Sequence, residues 1–269
     1  MRELATIYRR AIAKVTEAII GSDGYSNVQR IVIRQKVTQL LGQINTELVS
    51  WADKEIPAVY KAGVADAEAQ LKRLGVKLER LLAFTVIDQD AVEAILNEVK
   101  GGFATSMQTI GQSTQRILKE ATKLEANTIM AEGIITGEAN KKIAREIKGI
   151  IQDEGIAGFI DKSGRKWQLD NYTQMLVRTK LVEARNVGLG NRMGQYGFDL
   201  VQVSDHNSDH PVCAAWEGQI LSMRGETEGY PTYDEAVSDG LFHPNCEHAI
   251  NAVHPELASK TEAYDNPFN

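Results

Sequence analysis

The first 205 residues of this 269-residue chain contain neither histidine nor cysteine. Any thiol or imidazole chemistry is therefore confined to residues 206–269. Only two cysteines occur, Cys213 and Cys246, which excludes a disulfide framework. With no export signal legible, they point to a reducing compartment, where paired thiols are more often metal ligands than a disulfide. No apolar run approaches the roughly 18–20 residues of a membrane-spanning helix, so no membrane partner is expected. The opening stretch, MRELATIYRRAIAKVTEAII, carries charges through its first ten residues and no small-residue cleavage site. It is not expected to act as a signal peptide. Tandem repeats and low-complexity tracts are absent as well.

What is present is ordinary in amount and uneven in distribution. The length suits one large domain or two smaller ones, and 43% hydrophobic with 25% charged residues is usual for a globular protein. The formal net charge of −6 hides a division: residues 199–269 hold 13 acidic and 2 basic side chains, residues 1–198 the other 23 and 28. The ends thus carry −11 and +5. The acidic end would repel a phosphate backbone, and the mildly basic front is the part suited to lie near nucleic acid.

The front half reads as successive helices. Leu4, Ile7, Ala11, Val15 and Ile19 recur at helical spacing, with Gly21 as the stop. Ser26 caps a second helix bearing Val37, Leu41, Ile44, Leu48 and Trp51, expected to end before Pro57. Proline then opens a third, carrying Tyr60, Val64, Ala67, Leu71 and Leu74 and ending at Gly75. After an apolar stretch at 81–87, Asp88 or Asp90 opens a long pattern from Val92 to Ile129, in which Gly101, Gly102 and Gly111 predict a kink. An amphipathic helix is expected over 138–153, with Ile143, Ile147 and Ile150 on one side. A hairpin turning at Ser163–Gly164 comes next. Then comes a helix capped by Asp170 or Asn171, with Met175, Val182, Leu189 and Met193 buried, and the strand DLVQVS.

All five histidines (His206, His210, His243, His248 and His254) and both cysteines fall within 206–254. Two segments share one pattern, His210-Pro-Val-Cys213 and His243-Pro-Asn-Cys246, offset by 33 residues. Imidazole and thiolate are the usual partners of Zn²⁺, and two donors three residues apart reach one ion from a single turn. Four donors would close a tetrahedral shell, with His248 competing with His243 for a place. The intervening WEGQILSMRGETEGYPTYDEAVSDGLF is glycine-rich and loop-like, so a metal cross-link is expected to supply the stability it lacks. Other readings are surface histidines with cysteines as small buried hydrophobes, and a Cys213–Cys246 disulfide worth about 3–4 kcal/mol. A metallohydrolase or HNH-like nuclease would use Asp205, His206 and a metal-bound water. Against that enzyme reading, no general-base carboxylate stands at a diagnostic spacing, and a nuclease would want basic residues where this region is acidic.

The stretch GRKWQLDNYTQMLVRTKLVEARNVGLGNRMGQYGFDLVQVSDH, continued by CAAWEGQI, GLFHPNCEHAI and HPEL, resembles the C-terminal domain of tailed-phage minor capsid proteins. It is most similar to the phage minor capsid protein 2 family within the Mu F-like head-morphogenesis superfamily. The likeness covers about 130–257. Together with the helical pattern of the front, an extended arm or bundle at 1–132, it implies an α+β protein with a small α+β domain at 133–257 carrying hairpin, long helix and loops that a zinc ion could stabilise, and a tail at 258–269. It also implies a structural, non-enzymatic role inside the virion head near the portal vertex, after a cytoplasmic stage of assembly. The expected partners are the portal protein or major capsid protein and packaged double-stranded DNA. Many superfamily members have cysteines at the positions of His210 and His248, so the likeness favours His210, Cys213, Cys246 and His248 as Zn²⁺ donors, with His243 nearby. Arg178, Thr179 and Glu183 match the family's helix motif, and Arg178 and Glu183 are expected to anchor that helix to the C-terminal loops.

Overall fold

The computed structural model describes residues 2–78, 84–132, 137–154, 158–160, 166–243 and 246–254. Much of the apolar stretch at 81–87, the Ser163–Gly164 turn and the tail at 258–269 lie outside them. The chain forms two compact units, each from two segments: Met1–Ala52 with Val99–Gln174, and Asp53–Glu98 with Met175–Asn269.

The first unit is helical. α1 (Arg2–Ile20) buries Leu4, Ile7, Ala11, Val15 and Ile19, the stripe its sequence predicts. It packs against α4 (Gly137–Glu154), where Ile143, Ile147 and Ile151 are buried. α2 (Asn27–Arg73) starts at a reciprocal cap: the Gln29 N–H donates to Ser26 Oγ at 3.4 Å, and the Ser26 N–H donates to Gln29 Oε1 at 3.1 Å. α3 (Val86–Glu132) runs helical through Gly101, Gly102 and Gly111. Its stripe departs from the expected one at the far end. Ile129 is exposed, and Leu118, Ala121 and Glu125 are buried instead. Glu125 has a partner there: its Oε1 accepts the Tyr25 N–H at 3.0 Å. The hairpin pairs β1 (Gly158–Ile160) with β2 (Lys166–Gln168), Phe159 opposite Trp167.

Pro57 does not divide α2; it lies inside the helix. An interior proline removes one hydrogen bond and crowds the preceding turn, at about 3 kcal/mol. Trp51, Ala52, Ile56 and Tyr60 are buried on either side, and each large side chain contributes about 1.5–3 kcal/mol. Breaking the stripe would cost more than keeping the proline. The helix ends as the sequence predicts: Gly75 takes φ +85, and the Val76 and Gly75 N–H groups close onto the Leu71 and Lys72 carbonyls at 3.0 Å.

In the second unit α5 (Leu169–Gln195) crosses the latter part of α2 so closely that side chains are excluded. A Cβ on Gly63 would lie 2.0 Å from the Arg185 carbonyl oxygen, and one on Gly188 would lie 2.4 Å from that of Tyr60. A buried polar knot joins α2, α3 and α5. The Tyr60 hydroxyl donates to Asp88 Oδ1 at 2.7 Å and accepts from Asn191 Nδ2 at 2.7 Å. Asp88 also accepts from the Thr85 N–H at 2.8 Å, while its own N–H donates to Thr85 Oγ1 at 3.3 Å, so Thr85, not Asp88, caps α3. On α5, Arg178 is exposed, and Lys180 links Glu98 on α3 to Glu183.

Beyond α5 the chain builds a three-stranded antiparallel sheet in the order β4–β3–β5, from β3 (Leu200–Val203), β4 (Ile220–Ser222) and β5 (Ile250–Ala252). Two short helices, α6 (Pro211–Trp216) and α7 (Tyr233–Ser238), complete it. The α+β class read from the sequence holds. The loop-like expectation for the segment after Trp216 does not. Trp216, Leu221, Tyr233, Ala236, Leu241 and Ile250 share one apolar core, and α7 opens on a Thr232–Glu235 capping box. This stretch belongs to a hydrophobic core that it shares with Ala67, Leu189, Met193 and Val201, hidden in sequence because its elements are too short to show periodicity.

Candidate metal centre

Local chemistry places the donors. Pro211 occupies the first turn of α6, where its missing N–H costs nothing, and His210 is the extended cap residue at φ −80, ψ 117. Cys213 therefore lies within the first turn after His210, buried beside Trp216. Downstream, Gly240 at φ +107 and Phe242 at φ +58 reverse the chain after α7. Leu241 and Phe242 are buried by that reversal, and His243 comes next. The Cys246 N–H closes a turn onto the His243 carbonyl at 2.9 Å. Residue 249 then zips to β3, its N–H donating to Ser204 Oγ and its carbonyl accepting the Ser204 N–H, both at 2.9 Å.

These constraints bring all five sequence-predicted donors together. Cys213 Sγ lies 3.9 Å from Cys246 Sγ and 3.0 Å from His243 Nε2, and Cys246 Sγ lies 3.2 Å from His248 Nδ1. The ligand atoms form two trios sharing Cys213: His210, Cys213 and His243, and Cys213, Cys246 and His248, each within 4.8 Å. The His210 ring lies 4.1 Å from that of His243. Both cysteines are free thiols. A tetrahedral ion with Zn–S bonds of about 2.3 Å sets two thiolates about 3.8 Å apart, so the sulfur spacing fits such an ion. Two thiolates with two imidazoles is the donor set of a closed structural zinc site.

Burial pushes the Cys213 thiol up to about 12, and the neighbouring Cys246 sulfur and Glu217 carboxylate add to this. A divalent cation held between the sulfurs would reverse that balance, since a coordinating thiol is deprotonated outright.

The other named residues stand outside the cluster. His206 bonds Ser204 Oγ at 2.8 Å and sets its ring against His248 at 5.0 Å. Asp205 accepts the Asn207 N–H at 3.0 Å, closing a turn, and His254 faces Phe198 at 6.1 Å. Sequence reasoning missed Glu217. Its Oε1 lies 2.8 Å from His248 Nε2 and accepts the His206 and Ser208 N–H groups at 3.0 Å. Burial opposes its ionisation, but the bonds from His248 and those two amides outweigh it and hold the carboxyl below its ordinary range. The only sequence signal was its place between Trp216 and Gly218 in the segment CAAWEGQI that carries the family likeness.

Residues 26–267 match the family of phage minor capsid protein 2. The chain belongs to that family. A curated relative, described as a structural protein of Lactococcus phage LL-H, is 26% identical over 97 residues, which is 35% of this chain and 26% of that protein. The chain thus matches about a quarter of that relative's length. No solved structure matches. Phage minor capsid proteins are structural in kind. Among the described residues of this family member, no helix is long and apolar enough to cross a membrane.

Proposed function

We propose that this chain is a low-copy structural component of a tailed-phage head, seated inside it at or near the portal vertex, with its C-terminal module of the Mu F-like kind cross-linked by one structural Zn²⁺. The observation that carries the metal reading is the convergence of two cysteines and flanking histidines from segments 30 residues and more apart. Cys213, Cys246 and His248 are buried and supply three donors. His243 and His210 share the other trio with Cys213, and His243 is taken as the fourth because its Nε2 lies 3.0 Å from Cys213 Sγ while His210 is exposed. This departs from the family likeness, which favours His210. When bound, the ion would neutralise the thiolates and tie α6 to the segment entering β5. The helices would supply the surfaces that meet portal or major capsid protein. Co-expression with the portal protein of the same phage tests the placement. A complex should survive size-exclusion chromatography, and no association at micromolar concentration overturns it.

A second reading, contact with packaged DNA, is favoured by charge. The segments Met1–Ala52 and Val99–Gln174 hold 18 basic and 13 acidic residues, whereas the other unit holds 12 and 23. Phosphate-led binding falls steeply with salt, so equal DNA binding at low and high salt removes this reading. A hydrolase reading gains nothing from the geometry, because Asp205 and His206 belong to neither donor trio and are engaged in local turns.

A further inference from the structure

We infer that Glu217 is the positioning residue of this centre: its carboxylate holds His248 with Nδ1 turned toward the sulfurs and ties the centre to the backbone of residues 206–208. The inference rests on the metal reading above and concerns which group outside the coordination shell sets the affinity.

The geometry is specific about His248. Its two ring nitrogens face opposite partners, Nδ1 toward Cys246 Sγ at 3.2 Å and Nε2 toward Glu217 Oε1 at 2.8 Å. A neutral imidazole carries one proton, and a carboxylate can only accept. The proton therefore sits on Nε2, which leaves the Nδ1 lone pair bare on the side of the thiols. That is the tautomer a metal requires, and outer carboxylates of this kind both orient a ligating histidine and raise its basicity. Both side chains are shielded, His248 being 4% and Glu217 9% exposed, so solvent cannot take over the role.

Glu217 is also held from the other side. It is the C-cap of α6, and its N–H donates to the Cys213 carbonyl at 3.0 Å. One short helix thus delivers a donor, Cys213, and four residues later the group that aims a second donor. The same Oε1 accepts the His206 and Ser208 N–H groups at 3.0 Å, with Oε2 at 3.2 Å from the latter. The base of the 205–209 loop is therefore fastened to the centre through one carboxylate.

The test compares the full-length chain with Glu217→Gln, Glu217→Ala and Cys213→Ser. The readouts are Zn²⁺ affinity by competition with a chromophoric chelator, the visible absorption of the Co²⁺-substituted protein, and amide exchange at residues 206 and 208. Wild type should take up one ion, and Cys213→Ser should lose it. Glu217→Gln keeps an acceptor oxygen but not its charge, so the 206 and 208 amides should stay protected while affinity drops about 10-fold. Glu217→Ala should lose up to about 100-fold, within the range usual for outer-shell partners. If both Glu217 variants bind as tightly as wild type and give the same Co²⁺ spectrum, the role of Glu217 is overturned and the metal reading stands. If wild type takes up no Zn²⁺ or Co²⁺, the metal reading itself fails and the inference falls with it.

Discussion

Asp199 shows how much one side chain organises in this protein. It lies just before β3 and is buried, accepting hydrogen bonds from the Ser222 hydroxyl, the Arg224 N–H at 2.9 Å, and both the N–H and hydroxyl of Thr227 at 3.1 and 3.0 Å. Burial alone would raise its pKa, but these donors and the nearby Arg224 charge outweigh it, and the carboxyl is held below its ordinary value of 3.8. A depressed folded pKa contributes stability that is complete above the ordinary value and disappears as pH falls through the folded one. Chemical denaturation from pH 6 downward should therefore show wild-type stability dropping below about pH 4, with Asp199→Asn losing about 2–3 kcal/mol at neutral pH and responding less to acid. An equal acid slope in both proteins would refute this. At this scale the sequence was informative where chemistry is rare: cysteine and histidine stand out by type and spacing. Asp199 and Glu217 did not, because a carboxylate is common and only its neighbours in space give it a task.

Helices were legible wherever one stripe ran long enough to reveal its period, as in α1 and α4. Their limits were less so, since Pro57 signals a boundary locally while buried residues on both sides override it. Replacing Pro57 with alanine should restore a hydrogen bond from the N–H at position 57 to the Asp53 carbonyl. The gain, about 2 kcal/mol after allowing for a more flexible unfolded chain, would appear as a higher Tm. The α2–α5 crossing argues the opposite direction. Gly63→Ala and Gly188→Ala each put a methyl group into a backbone carbonyl, and each should lower stability by about 1–3 kcal/mol or more, measured by urea denaturation. Helix propensity alone would have both variants stabilised by about 1 kcal/mol, so the sign decides between local preference and packing. Neither glycine could be distinguished in sequence from Gly101, which meets nothing within 4 Å.

For the whole molecule, the core around Trp216 changes what metal removal should do. Small zinc domains unfold without their ion because they have little else, whereas here Trp216, Leu221 and Ile250 pack in one cluster. Chelation should lower the Tm, by the equivalent of about 4 kcal/mol when free Zn²⁺ had stood 1,000-fold above its Kd. The far-UV circular dichroism at 25 °C should be left nearly unchanged, and Cys213→Ser should respond to neither metal nor chelator. Complete unfolding on chelation would show the apolar cluster to be insufficient by itself. The sequence alone marked the helical front and the five candidate donors, and its likeness to a known family gave the α+β class, because period, rare residue types and motifs are written locally along the chain. Only the tertiary structure decided which helix boundaries survive, where side chains must be absent, and which carboxylate supports His248. Those outcomes depend on groups tens to more than a hundred residues apart, whose energies exist only once the chain has brought them together.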